Sequence, residues 1–137
     1  MKLGQIAAML ATAVCVQVQG AELQVEVKGV EEASGMVQVA LFNSEGTWLN
    51  KRFTSMSASA RKGTVSVTFK DIPMGDYAIS VYHDVNGNGK LDSNFIGMPS
   101  EPYGFSNDAK GMFGPAKFED AKFKVEGKET AIRINLN

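Results

Sequence analysis

The stretch "GTVSVTFKDIPMGDYAISVYH" (residues 63–83) decides the fold. In its first part Val65, Val67 and Phe69 alternate with Thr64, Ser66 and Thr68. A two-residue period puts the apolar set on one face of an extended chain, the pattern of a half-buried strand. Asp71-Ile72-Pro73-Met74-Gly75 then interrupts it with turn chemistry: proline fixes its own φ, and glycine admits conformations closed to other residues. The alternation resumes in Tyr77, Ile79 and Val81. Two such runs separated by a turn read as two successive strands.

The same period recurs on both sides. Leu23, Val25 and Val27 alternate with Glu22, Gln24, Glu26 and Lys28. Phe123 and Val125 sit between lysines, and Ile132, Ile134 and Leu136 alternate in the last segment. "MVQVALFN" (36–43) is more continuously apolar, which predicts a central strand buried on both faces. Ser34-Gly35 and Glu126-Gly127-Lys128 supply two more turns. With a further strand over 53–60 and no sustained helical stripe, the chain predicts an all-β antiparallel β-sandwich of immunoglobulin-like or transthyretin-like type.

The 137 residues suit one domain with its own core. The formal charge is −1 and no basic cluster exceeds two residues, which argues against nucleic acid as the main partner. Lys2 followed by the apolar run Ile6 to Val16, with Val18-Gln19-Gly20 before Ala21, predicts a cleaved signal peptide over 1–20 and a single exported domain over 21–137, periplasmic or secreted. The run is too short to span a bilayer. Cys15 is the one cysteine and follows Val14, not the small residue that lipidation favours. A chain cut after residue 20 has no thiol for a disulfide, a nucleophile or a metal.

The period breaks from Asp84 to Asp120. This segment holds six of the chain's fourteen glycines and three of its four prolines. It carries Asp84, Asp92, Glu101, Asp108, Glu119 and Asp120 against Lys90, Lys110 and Lys117. Its aromatic residues can bury surface, so the segment reads as a long ordered loop folded over one end of the sandwich.

Within it, "DVNGNGKLD" (84–92) places Asp84, Asn86, Asn88 and Asp92 at offsets 0, 2, 4 and 8, with Gly89 at offset 5. These are the oxygen-ligand offsets of an EF-hand-type calcium loop, with Lys90 contributing its carbonyl at offset 6. Phe95 stands where the bidentate glutamate belongs, and a strand leads in where a helix would. The expectation is therefore a structural calcium site on a β-scaffold, with Asp84, Asn86, Asn88, Lys90 and Asp92 as ligands. Its coordination is completed by Asn94, Glu101, Asp108, Glu119, Asp120 or water. The competing reading is a bare Asn-Gly turn without an ion, since Asn86-Gly87 and Asn88-Gly89 are both hairpin signals.

The stretch 82–125 resembles the signature region of the bacterial domain-of-unknown-function family 2141. The resemblance rests on His83 to Asp92, then Gly104-Phe105-Ser106-Asn107, then Phe113-Gly114-Pro115. It implies a β-sandwich and an exported location, and it brings no activity with it.

Other constellations are weaker. His83 is the only histidine and shares the face of Val81, as a hydrogen-bonded packing residue would. No Gly-x-Ser-x-Gly element accompanies it, so a serine hydrolase is not indicated, and the chain reads as non-enzymatic. An acid pair of the glycosidase kind needs two converging carboxylates at an open cleft. Met74, Met98 and Met112 with His83 raise a copper site, although scattered methionines usually fill gaps. Trp48, Tyr103, Phe105 and Phe113 form either a satellite core or a platform for a sugar, lipid or pigment. The alternative function is accordingly an accessory module for a small-molecule or envelope-protein partner.

Overall fold

The computed structural model describes residues 20–90 and 100–137. The signal-peptide expectation for 1–19 therefore lies outside the described residues, as do the expectations for Asp92, Asn94, Phe95 and Met98.

Among the described residues eight strands form two sheets: β1 (Ala21–Val30), β2 (Met36–Phe42), β3 (Thr54–Ser59), β4 (Gly63–Ile72), β5 (Gly75–Asp84), β6 (Tyr103–Phe105), β7 (Phe123–Val125) and β8 (Glu129–Asn135). One sheet runs β4-β1-β8, and the other runs β3-β2-β5-β6 with β7 also on β5. The β4–β5 connection of the opening stretch thus crosses from one sheet to the other. The period-two residues meet between the sheets. Leu23, Val25 and Val27 face Val65, Val67 and Phe69 in the first sheet's inner layer, and Val37, Val39, Leu41, Ile79 and Val81 close the core from the second. Burying each such side chain stabilises by roughly 1.5–3 kcal/mol relative to exposure.

Three details differ from the sequence-based expectation. The pairing is antiparallel except for β1 with β8, which run parallel from Glu22↔Glu129 to Lys28↔Asn135. β2 lies centrally between β3 and β5, but it buries one face rather than two. Val37, Val39 and Leu41 are fully buried while Met36, Gln38 and Ala40 are half-buried. The outer layer that would cover it reaches only the Phe42 end.

That outer layer is the third difference. The segment after Pro102 does not cap an end of the sandwich; it lies on the second sheet's outer face. β5 turns Tyr77, Ile79 and Val81 inward and Ala78 outward. Against Ala78 the segment packs Phe105, Ala116, Phe118 and Ala121, with Trp48 and Tyr103 at the margin. Phe118 and Ala121 belong to a single helical turn, α1 (Phe118–Ala121). β6 is three residues long and leaves too short an alternation to detect from sequence.

Candidate functional site

The calcium-type loop begins on the last residue of β5. Asp84 is 1% exposed, held between β2 and the turn that follows. Its Oδ1 accepts the Asn88 N–H at 3.1 Å and its Oδ2 accepts the Gly89 N–H at 2.7 Å. The loop therefore curls back over one carboxylate. Gly87 and Gly89 have φ of +69° and +79°, which other residues reach at a cost. The Gly87 N–H donates to the Asp84 carbonyl at 3.2 Å, and the Tyr82 hydroxyl donates to the Gly89 carbonyl at 2.9 Å.

The amides at offsets 2 and 4 work in the same manner. Asn86 Oδ1 accepts the Asn88 N–H at 3.2 Å, and Asn88 Oδ1 accepts the Lys90 N–H at 2.9 Å. The side-chain oxygens of Asp84, Asn86 and Asn88 thus each close a local turn with a backbone amide two to five residues ahead. A carboxylate or amide oxygen has two lone pairs, so accepting one backbone amide does not by itself exclude a cation.

Of the acids considered for completing the site, the structure brings one to the loop. Glu101 is 8% exposed, and its Oε2 accepts the Val85 N–H at 2.9 Å. The His83 N–H donates to the Pro102 carbonyl at 2.9 Å, which fixes the return of the chain beside its departure. Two acids from separate segments, Asp84 and Glu101, therefore each hold a backbone amide at the loop's root.

The other acids lie elsewhere. The Asp108 carboxylate accepts the Asn135 N–H and the Asn135 side-chain amide, both at 2.9 Å. Glu119 pairs with Lys122 at 2.8 Å and holds that exposed ammonium above the usual lysine range. Asp120 is exposed, and its carbonyl accepts the Asn107 side-chain amide at 3.2 Å. Among the described residues no three of His, Cys, Asp and Glu converge. The donor set of Asp84, Glu101, Asn86 and Asn88 is all oxygen, the chemistry of a hard cation.

His83 is 1% exposed. Its Nε2 lies 2.7 Å from the Ser34 carbonyl, which can only accept, so the proton sits on Nε2. The imidazole ties the β1–β2 turn to the loop's root. Gly35 completes that contact: its φ is +74°, and a Cβ there would lie 2.0 Å from the Asp84 carbonyl oxygen. The alternation correctly placed His83 inward, but it held no signal for Ser34 and Gly35 as its partners.

The copper constellation is not assembled by the described residues. Met74 is exposed in the β4–β5 turn, at the opposite end of β5 from His83. At roughly 3.3 Å per residue, the length of that strand separates them by about 25–30 Å.

The aromatic residues split. Trp48 packs edge-on against Phe42 and Phe118, with ring centroids 5.0 and 5.9 Å apart, and its Nε1–H donates to the Ala116 carbonyl at 2.8 Å. Tyr103 stands edge-on to Phe105 at 5.8 Å. These rings form the satellite core. Phe113 is apart from them and fully exposed.

The Gly104–Asn107 element, whose roles the sequence did not reveal, acts as a fastener. β6 pairs with β5 at Ser80–Tyr82 and β7 pairs with it at Gly75–Tyr77, both on the same edge. Ser106 fills the gap: its Oγ accepts the Ile79 N–H at 2.9 Å and donates to the Ala121 carbonyl at 2.6 Å. Asn107 donates to the Asp120 and Lys122 carbonyls at 3.2 and 2.8 Å. Asn107 and Asp108 both adopt positive φ, which Asn and Asp tolerate best among non-glycine residues. Gly104 lets the chain pass Asn135, whose carbonyl would lie 2.6 Å from a Cβ.

The fold and the fastened outer layer define a two-sheet, all-β module with one Asp/Asn/Gly loop. The match of a family model described as "Uncharacterized protein conserved in bacteria (DUF2141)" covers residues 25–133, and the chain belongs to that family. No curated protein and no solved structure matches it.

Proposed function

We propose that this protein is an exported, non-enzymatic β-sandwich module whose 84–92 loop is organised by a calcium ion. The observation that carries the reading is that two buried acids, Asp84 and Glu101, both accept backbone amides at the root of a loop that curls around Asp84. Asn86 and Asn88, the Lys90 carbonyl and Asp92 are the remaining ligands of the proposed site. Two acids anchored by backbone amides favour modest affinity, about 10⁻⁴–10⁻³ M, which suits an extracytoplasmic module. The ion's role is structural, because the same carboxylates are sunk in the fold and turned to backbone amides rather than to a cleft. The mutual packing of Trp48, Phe42, Phe105 and Phe118 weighs against the alternative of an aromatic ligand platform.

The test is a thermal melt during calcium titration. Calcium at tenfold above its Kd should stabilise by about 1.4 kcal/mol, a rise of several degrees, and magnesium should do less. Glu101→Gln and Asp84→Asn should each remove the response. A wild-type chain whose melting temperature ignores millimolar calcium would sink the reading, whatever the variants do.

A further inference from the structure

Among the described residues the two most exposed large apolar side chains are neighbours. Phe113 is 101% exposed and Met112 88% exposed. They form the tip of a tight loop between Gly111 and Gly114. A Cβ on Gly111 would lie 2.1 Å from the Gly114 carbonyl oxygen and 2.2 Å from that of Pro115, so the loop closes on its own backbone. Its base is anchored: Ala116 is buried in the satellite core, and its carbonyl accepts the Trp48 Nε1–H. The tip is thus a small projection on a fixed mount, and its two apolar side chains are left almost wholly to solvent.

Charge and area together indicate what would cover it. Between Asp108 and Glu119 the charged residues are Lys110 and Lys117 alone, one on each side of the tip. Both border the same open recess of about 590 Å³ as Met112 and Phe113, with Asp120 as the single acid on its rim. A stable protein partner needs roughly 800 Å² from each side, whereas one aromatic side chain supplies about 150–250 Å². A bilayer interface needs no shape complementarity. It accepts a few apolar side chains to a depth of about 5–10 Å and attracts flanking lysines through anionic headgroups.

We propose that the Met112–Phe113 tip is a membrane-surface anchor that inserts into a bilayer containing anionic lipid, with Lys110 and Lys117 at headgroup level. The anchor is independent of the calcium reading: it uses another loop and no metal.

The experiment places a reporter on the tip. Phe113→Trp adds an exposed indole without altering the core. The full-length variant is mixed with vesicles of roughly 3:1 phosphatidylcholine to phosphatidylglycerol whose acyl chains carry bromine, a short-range quencher. The expected result is a blue-shifted emission and about a twofold loss of the added indole's intensity, with the wild-type Trp48 signal unchanged. The loss should fall when Lys110 and Lys117 are both changed to Ser, when phosphatidylcholine is used alone, and when salt is raised. The readout is local, so attachment through any other part of the chain does not mimic it. An indole at 113 that keeps its water-exposed emission on these vesicles overturns the proposal, as does quenching that is indifferent to both lysines and lipid charge.

Discussion

Single hydroxyls carry more of this structure than their size suggests. Ser106 is fully buried, and it both accepts from the Ile79 amide and donates to the Ala121 carbonyl. Ser106→Ala leaves the amide and the carbonyl without that partner in the interior. The expected cost is about 2–4 kcal/mol, read from urea unfolding, since each stranded buried group costs about 1–3 kcal/mol. Tyr77 tests a second hydroxyl, which donates to the Pro73 carbonyl at 2.6 Å. Burial pushes its phenol above the ordinary value of 10.0, so the folded state holds the proton more tightly than the unfolded chain. The stability this contributes is complete below about pH 10 and is lost as pH rises through the folded value. Tyr77→Phe should cost about 1 kcal/mol at neutral pH and should flatten the decline in stability that the wild type shows above about pH 10.

At the scale of elements, β5 organises the molecule. It pairs with β2 along one edge and divides the other between β6 and β7. Its far end is braced by the β1–β2 turn, where Gly35 presses on the Asp84 carbonyl. Gly35 and Gly127 share a φ of +74°, but a Cβ at Gly127 would meet nothing within 4 Å. Gly127→Ala should therefore cost only the left-handed strain, about 1–2 kcal/mol. Gly35→Ala should cost clearly more in the same unfolding measurement, because the backbone must also move. The long strands were legible because an inner core imposes a strict two-residue period on Val65 to Phe69 and Tyr77 to Val81. β6 and α1 were not, because their register is set by distant partners: the fastening of Ser106 and Asn107, and the packing of Phe105 and Phe118 against Ala78. The loop was half legible. Its offsets singled out Asp84, Asn86 and Asn88, whose oxygens the structure shows on the loop's own amides, but the approach of Glu101 depends on the return of the chain beside His83, which no local spacing encodes.

On the scale of the whole molecule, the first and last strands lie side by side in parallel, so the sheet that begins the fold is finished by its end. Ile134 then enters the core among the side chains of β1 and β4, and Asn135 is tied to Asp108. The outer layer, the loop and the tip are all mounted on the opposite sheet. This separates a closed structural half from a half that carries the proposed sites. One consequence concerns the mouth of the loop, where His83 bonds to Pro102 and Val85 to Glu101. These contacts hold the departing and returning chain one ladder rung apart, whatever lies between them. Closing a longer connection costs only about 0.6 kcal/mol for each doubling of length. A foreign peptide spliced in after Asp92, beyond the proposed ligands, would therefore be displayed from a preformed clasp, which makes the module a carrier whose cargo can be chosen independently of its frame.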